Sequence, residues 1–253
     1  QVQDGAIRRV TLLNIETLER QELCIDGFVV DATGDAHVAA LAGAECRMGR
    51  EGRNETGERS APDKPDAIVS AASLTALTVN VGIDVPFVPP PGTPAWNPDK
   101  PANTFSPTRS VNILFQVDEG GENERNHPLL SPQALHERLV RRIYSLWDHF
   151  KKRLYPEEAR THQLIWISPI LGRRESRRIV GDYTLTQTDI ESGRRFHDAV
   201  AFGGFPLDFH PPSADGGYEC IYYSAPLPFD IPLRCLYSRR VRNLFAAGRN
   251  ISA

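Results

Sequence analysis

No apolar run in the chain approaches the ~18 residues of a membrane-spanning helix, and the opening residues lack the basic-then-apolar order of a signal peptide. Cysteine is scarce. Cys24, Cys46, Cys220 and Cys235 stand singly without any C-x-x-C pair, which removes zinc knuckles and a dense disulfide framework. Free, mostly buried thiols are the expectation. A charge excess is also missing: 29 Lys plus Arg against 32 Asp plus Glu leave −3, too little to draw nucleic acid or an anionic membrane through a global field. No repeat at solenoid periods recurs. What is present, 40% hydrophobic and 24% charged residues over 253 positions, suits one large or two modest soluble domains. The chain opens at Gln1 and closes at Ser252-Ala253 directly after the run Leu244 to Gly248, so a truncated piece is expected.

Asp4-Gly5 is a two-residue turn signal, and the β-branched residues from Ile7 to Ile15 read as one arm of a hairpin. A second extended run, Leu23 to Val30, ends in Asp31-Ala32-Thr33-Gly34-Asp35, after which Ala36 to Ala42 reads as a short small-residue helix stopped at Gly43. Residues 47–66 show no period and read as a surface loop. Strands are expected at Thr75–Ile83 and Val111–Val117, separated by a proline-dense excursion, Pro86–Pro107, that can be neither helix nor central strand. Ser131-Pro132 supplies an N-cap oxygen and a first-turn proline. Leu135, Leu139, Ile143, Leu146, Trp147, Phe150 and Leu154 then follow at helical spacing, with Arg138, Arg141, Arg142, Lys151 and Lys152 on the solvated face. A buried strand is expected over Gln163–Leu171, and strand-like runs return over Ile231–Ala247.

Three stretches carry chemistry. Val29 to Gly34 runs a strand into a glycine turn before a helix, where backbone N–H groups could meet phosphate or ribose; an ordinary strand–helix turn explains it equally. Arg173, Arg174, Arg177 and Arg178 surround Glu175, and four guanidinium groups this close need anionic partners: Glu175, Asp182, backbone carbonyls, or a ligand carboxylate or phosphate. A salt-bridged, solvated turn is the alternative. Asn243 to Ser252 follows a strand with small residues that let a ligand approach, or is simply a strand and turn.

In this order the three stretches resemble the bacterial FAD-dependent oxidoreductases built on the glutathione-reductase-like FAD fold. Asp31 to Asp35 with Val38 to Ala44 is similar to the family's strand after its β-meander. Gly172 to Tyr183, with Leu185-Thr186 and Asp189, is similar to its arginine-rich substrate-domain signature. Asp208-Phe209-His210-Pro211-Pro212 fits an Asp-x-His-x-Pro pattern, and Ile231 to Ser238 with Leu244 to Ser252 resembles the last flavin-binding strand. The family's G-x-G-x-x-G strand–helix unit is absent from the sequence. The resemblance therefore implies a fragment lacking an N-terminal βαβ unit and the helix after Ser252, binding FAD poorly and inactive in isolation.

The fold implied is α/β: a partial Rossmann-like FAD/NAD(P)-binding domain, residues 1–45 and 230–253, with an inserted α+β substrate domain of mixed or antiparallel sheet over 46–229. Exposed sheet edges would make the isolated piece poorly soluble. The function implied is hydride transfer between a small organic substrate and non-covalently bound FAD, in a cytoplasmic protein with no metal, nucleic-acid or membrane partner. Asp31, Ala32, Thr33, Gly34 and Asp35 would line the nucleotide side, and Gly248, Arg249, Asn250, Ile251 and Ser252 the pyrophosphate, ribityl or ring edge. Arg249 would compensate phosphate or reduced-flavin charge. Arg174 and Arg177 would clamp a polar or anionic substrate, with Glu175 fixing their geometry. His210 is an acid/base candidate because neutral imidazole moves protons near pH 7, though a structural histidine beside Pro211-Pro212 explains it as well. A different class remains open: a non-catalytic scaffold module whose arginines hold an acidic partner or glycan.

Overall fold

The computed structural model describes residues 1–97, 106, 109–117, 129–209, 221–223 and 228–253. His210, Pro211, Cys220 and the end of the proline-dense excursion lie outside them. The described residues form two compact units, one built from Gln1–Ala67, Glu175–Phe209 and Ile221–Ala253, the other from Ile68–Arg174. Each is mixed α/β with small sheets and few helices.

In the first unit the chain starts as expected. Val2–Gln3 and Ala6–Ile7 pair antiparallel around Asp4 and Gly5, whose φ values of 50° and 69° are those of a primed hairpin turn. Arg9–Leu13 then pairs with Arg20–Cys24 in a two-stranded ribbon exposed on both faces, so the second arm begins inside the polar stretch rather than at Leu23. The strand Val29–Asp31 lies parallel to Leu244–Ala246, the one parallel pair among the described residues. Around it a core gathers Ile7, Ala36, Ala39, Ile179, Val241, Leu244 and Ala246 from distant parts of the chain. The helix after the first turn is short, His37–Leu41, with Gly43 at φ 68° closing it. Residues 47–66 are more ordered than a featureless loop: Cys46–Met48 pairs antiparallel with Arg177–Ile179, and Arg53–Thr56 forms one helical turn. Hairpin-like pairs Ala199–Gly203 with Phe229–Pro232, and Leu207–Phe209 with Ile221–Tyr223, complete the unit.

The second unit is a three-stranded antiparallel sheet with Ser73–Asn80 in the centre, flanked by Val111–Val117 and His162–Ile167. The helix Pro132–His149 packs across it and runs into a π-helical turn, Phe150–Leu154. Leu135, Leu139, Ile143, Leu146, Trp147 and Phe150, spaced three and four apart, meet Leu74, Ala76 and Leu114 in one buried cluster. Helix cover lies on one face only, which corrects the expectation of a fully buried strand near residue 165: Ile165 and Trp166 are 53% and 43% exposed. Two details of the helix also differ. Ser131 makes no side-chain cap bond, and Lys151, expected in solvent, folds back to donate to the Val85 and Arg160 carbonyls. Of the three described cysteines, all free, only Cys235 is buried.

Candidate functional site

Parallel pairing of Val29–Asp31 with Leu244–Ala246 brings the carboxyl ends of two strands, and the small-residue turns that follow them, side by side. In the first turn Asp31 is fully buried and its carboxylate is committed locally. It accepts from Thr33 N at 3.0 Å, Thr33 Oγ1 at 2.6 Å and Ala39 N at 2.8 Å. Thr33 Oγ1 in turn accepts from His37 N at 3.0 Å. Asp31 and Thr33 thus satisfy donors at the start of the short helix that the sequence left available for a phosphate. Ala36, left-handed at φ 50°, has no side chain able to do this.

The second turn leans on the first. Ala247 N and Asn250 Nδ2 both donate to the Asp31 carbonyl, at 3.0 and 2.8 Å. Asn250 is fully buried, and since its amide nitrogen is held by that carbonyl, its Oδ1 is fixed away from it, without a hydrogen-bond partner among the described residues. A Cβ on Gly248 would lie 3.7 Å from this oxygen. Arg249 lies across Gly34, where a Cβ would come within 2.5 Å of Nη1, so only glycine leaves room for the guanidinium. Arg249 Nη2 donates to Asp35 Oδ1 at 3.0 Å, and the fully buried Asp35 also accepts from Ser176 Oγ at 2.8 Å. The charge of Arg249 is offset internally, and its buried Nε makes no hydrogen bond among the described residues.

The arginine-rich stretch joins the same region through its backbone. Ile179 N donates to the Asn250 carbonyl at 3.0 Å and Leu185 N to that of Ser252 at 3.1 Å, while Thr184 Oγ1 and Ser252 Oγ lie 3.0 Å apart. Ile251 packs on the core beneath. The first and third stretches therefore meet in the first unit, joined there by the part of the arginine-rich stretch from Glu175 onward, with Ala32, Thr33 and Gly34 opposite Gly248 and Arg249; Arg173 and Arg174 belong to the second unit. The arginines themselves diverge. Arg178 is taken up by Glu51 and the Gly49 carbonyl. Arg177 is half-buried on a strand opposite Met48, Arg174 is half-buried, and Glu175 is exposed with no ion pair to Arg177 among the described residues. Asp182, considered as an arginine partner, accepts instead from the Tyr237 hydroxyl at 2.7 Å. Ser176 escaped the sequence reading because a serine within an arginine run carries no periodic or charge signal.

The segment from 182 to 198 forms, with Arg234 and Cys235, a cluster of aromatic and charged groups. The Tyr183 hydroxyl donates to Asp189 Oδ2 and accepts from Arg194 Nη1, both at 2.8 Å. Burial, reinforced by Asp189, pushes the Tyr183 phenol up to about 12. Arg194 and Arg234 stand 5.6 and 5.2 Å from the Tyr183 ring centre. Arg234 grips Asp198 with two hydrogen bonds of 2.9 and 3.1 Å, holding its carboxyl at about 2. Burial raises the Cys235 thiol to about 11, so it stays protonated and unreactive near neutrality. Among the described residues no three His, Cys, Asp or Glu side chains are grouped to hold a metal, and no helix is long and apolar enough to cross a membrane.

A family model described as FAD dependent oxidoreductase matches residues 2–253. No curated protein and no solved structure matches the chain.

Proposed function

The chain belongs to the FAD-dependent oxidoreductase family, and from that premise we propose that it takes part in hydride transfer between a small organic substrate and non-covalently held FAD. The two adjoining turns fit such a cofactor. Among the described residues Asn250 offers a buried acceptor that lacks a donor and Arg249 a buried donor that lacks an acceptor, and Gly248 opens the space before the Asn250 amide. An unmatched buried polar atom costs about 1–3 kcal/mol, which a ligand bringing N–H, O–H and acceptor groups would recover. That pair of unmatched atoms, placed where two parallel strands end, carries the proposal.

When bound, FAD supplies the two-electron chemistry. The chain's own residues bind and orient. Asp31 and Thr33 keep the first turn rigid, leaving the Ala32 to Asp35 backbone as the wall on the nucleotide side. Gly248 to Ser252 form the opposite wall, with Asn250 Oδ1 accepting a hydrogen bond. Arg249, tied to Asp35, presents an oriented donor whose charge is already shared, so its part is directional more than a response to reduced-flavin charge. Arg174, Glu175 and Arg177 are the candidates for orienting a polar or anionic substrate, and His210 for moving a proton. The division into a flavin part, 1–45 and 230–253, and a substrate part, 46–229, belongs to the same proposal.

The test is the flavin content of the natural-length protein purified from its own cells, with Asn250→Leu as the comparison. Yellow protein releasing FAD on denaturation, with flavin content lowered at least fivefold in Asn250→Leu while the fold persists by circular dichroism, is expected. Colourless wild-type protein that does not take up added FAD overturns the reading and favours the scaffold alternative.

A further inference from the structure

We infer that the first unit holds a second binding site, a pocket for a small neutral polyhydroxylated molecule, lined by Arg50, Glu51, Glu58, Ser60, Arg178 and Leu207. The pocket encloses about 220 Å³. That is below the roughly 300–1,000 Å³ of sites for drug-sized ligands and suits a molecule of single-sugar-ring size.

Charge balance selects the ligand class. The lining carries two guanidinium groups and two carboxylates, and each arginine is already matched. Arg50 is held by Asp66 through Nε and Nη2, and Arg178 by Glu51 and the Gly49 carbonyl. A net anion would face Glu51 and Glu58 and find both arginines already paired, while a cation would face Arg50 and Arg178 and find Glu58 already accepting from Gln187 N and Thr56 Oγ1, so neither is favoured over a neutral ligand. Hydrogen-bonding capacity is left over on both sides. Arg50 Nη1 and Arg178 Nε make no hydrogen bond among the described residues. The Ser60 hydroxyl is buried with no partner among the described residues, while its backbone N–H is fixed by Gln187 Oε1 at 3.1 Å. Glu58 is anchored at both oxygens, by Gln187 N and Thr56 Oγ1, and its remaining lone pairs accept. Donors and acceptors of zero net charge, beside an apolar wall that includes Leu207, complement a ring bearing hydroxyl groups on one edge and C–H groups on a face.

None of these residues is assigned to FAD, so the pocket and the redox reading stand or fall separately. The test is saturation-transfer NMR on the purified chain with D-glucose and myo-inositol as probes, and succinate and spermidine as the charged comparisons. Saturable binding of at least one polyol is expected. It should be abolished in Leu207→Trp, which fills the pocket, and weakened roughly 2- to 10-fold in Ser60→Ala, which leaves the packing intact. If Leu207→Trp fails to fold, Ser60→Ala decides. No saturable polyol binding, tighter binding of succinate or spermidine, or polyol binding unchanged in the folded variants overturns the proposal.

Discussion

Two carboxylates of the first unit, Asp35 and Asp198, each hold one arginine, and their surroundings give the two pairs different consequences. Asp198 keeps its charge through the bidentate grip of Arg234, which holds its pKa at about 2 against an ordinary 3.8. Because the folded value lies below the unfolded one, the pair's contribution to stability is present above the unfolded pKa and is lost as pH falls through the folded one. The difference in urea midpoint between wild type and Asp198→Asn should therefore be constant from neutrality to about pH 5 and shrink between about pH 4 and pH 2. A difference that persists unchanged at pH 2 would assign the pair's role to shape alone. Asp35 is fully buried, so its role is to aim Arg249 over Gly34. Gly34 sits at φ 78°, where an L side chain costs about 1–2 kcal/mol, and its Cβ would strike the guanidinium. Gly34→Ala should destabilise by about that amount plus part of the Arg249–Asp35 pair. In an Arg249→Met background the second part should vanish, leaving the backbone cost. Chemical denaturation of the four proteins in the cycle measures both.

At the scale of elements, what the sequence made legible was what local chemistry decides. Asp4-Gly5 specified its hairpin because only a primed turn uses two left-handed residues in succession. Pro132 and six apolar residues at helical spacing specified the long helix, since no other structure puts those side chains on one face. The run Val111–Val117, with no internal glycine or proline, specifies a strand of those same limits. What stayed hidden depended on partners far along the chain. Cys46–Met48 becomes a strand only because Arg177–Ile179 lies beside it, and nothing within residues 47–66 announces that. The strand at His162–Ile167 carries four apolar residues in succession, Leu164 to Ile167, so its pattern could not reveal that one face would lack cover. For the candidate site, the three stretches were visible as small-residue and arginine runs, but their inner wiring was not. That Asp31 would close its own turn, that Ser176 and Arg249 would share Asp35, and that Arg178 would turn toward Glu51 all follow from tertiary placement. The loop residues Arg50, Glu58 and Ser60 gave no signal because mixed charges without a period look alike whether or not they enclose a pocket.

Over the whole molecule, the distribution of tryptophan provides a way to ask how the two units carry stability. All three tryptophans, Trp96, Trp147 and Trp166, belong to the second unit, so their fluorescence reports that unit, whereas far-ultraviolet circular dichroism reports both. The two cores are separate clusters, one around Leu139 and the other around Leu244, each of these leucines fully buried. They also differ in how the chain assembles them. The core around Leu139 draws on the continuous segment Ile68–Arg174, while the core around Leu244 needs residues from both ends and the middle of the chain. Truncating a buried leucine to alanine removes about 2–5 kcal/mol from the core that contains it, and sites with no shared neighbours act independently. Leu139→Ala should thus lower the urea midpoint seen by tryptophan fluorescence. Leu244→Ala should leave that midpoint within error while an earlier loss of circular dichroism appears, the two probes ceasing to coincide. Equal displacement of the fluorescence midpoint by both variants would mean instead that the chain unfolds as one cooperative body. In that event a defect beside Asp31 and Asn250 would be felt at every tryptophan, and flavin loss in variants of those turns would have to be separated from global unfolding by measuring both probes on each.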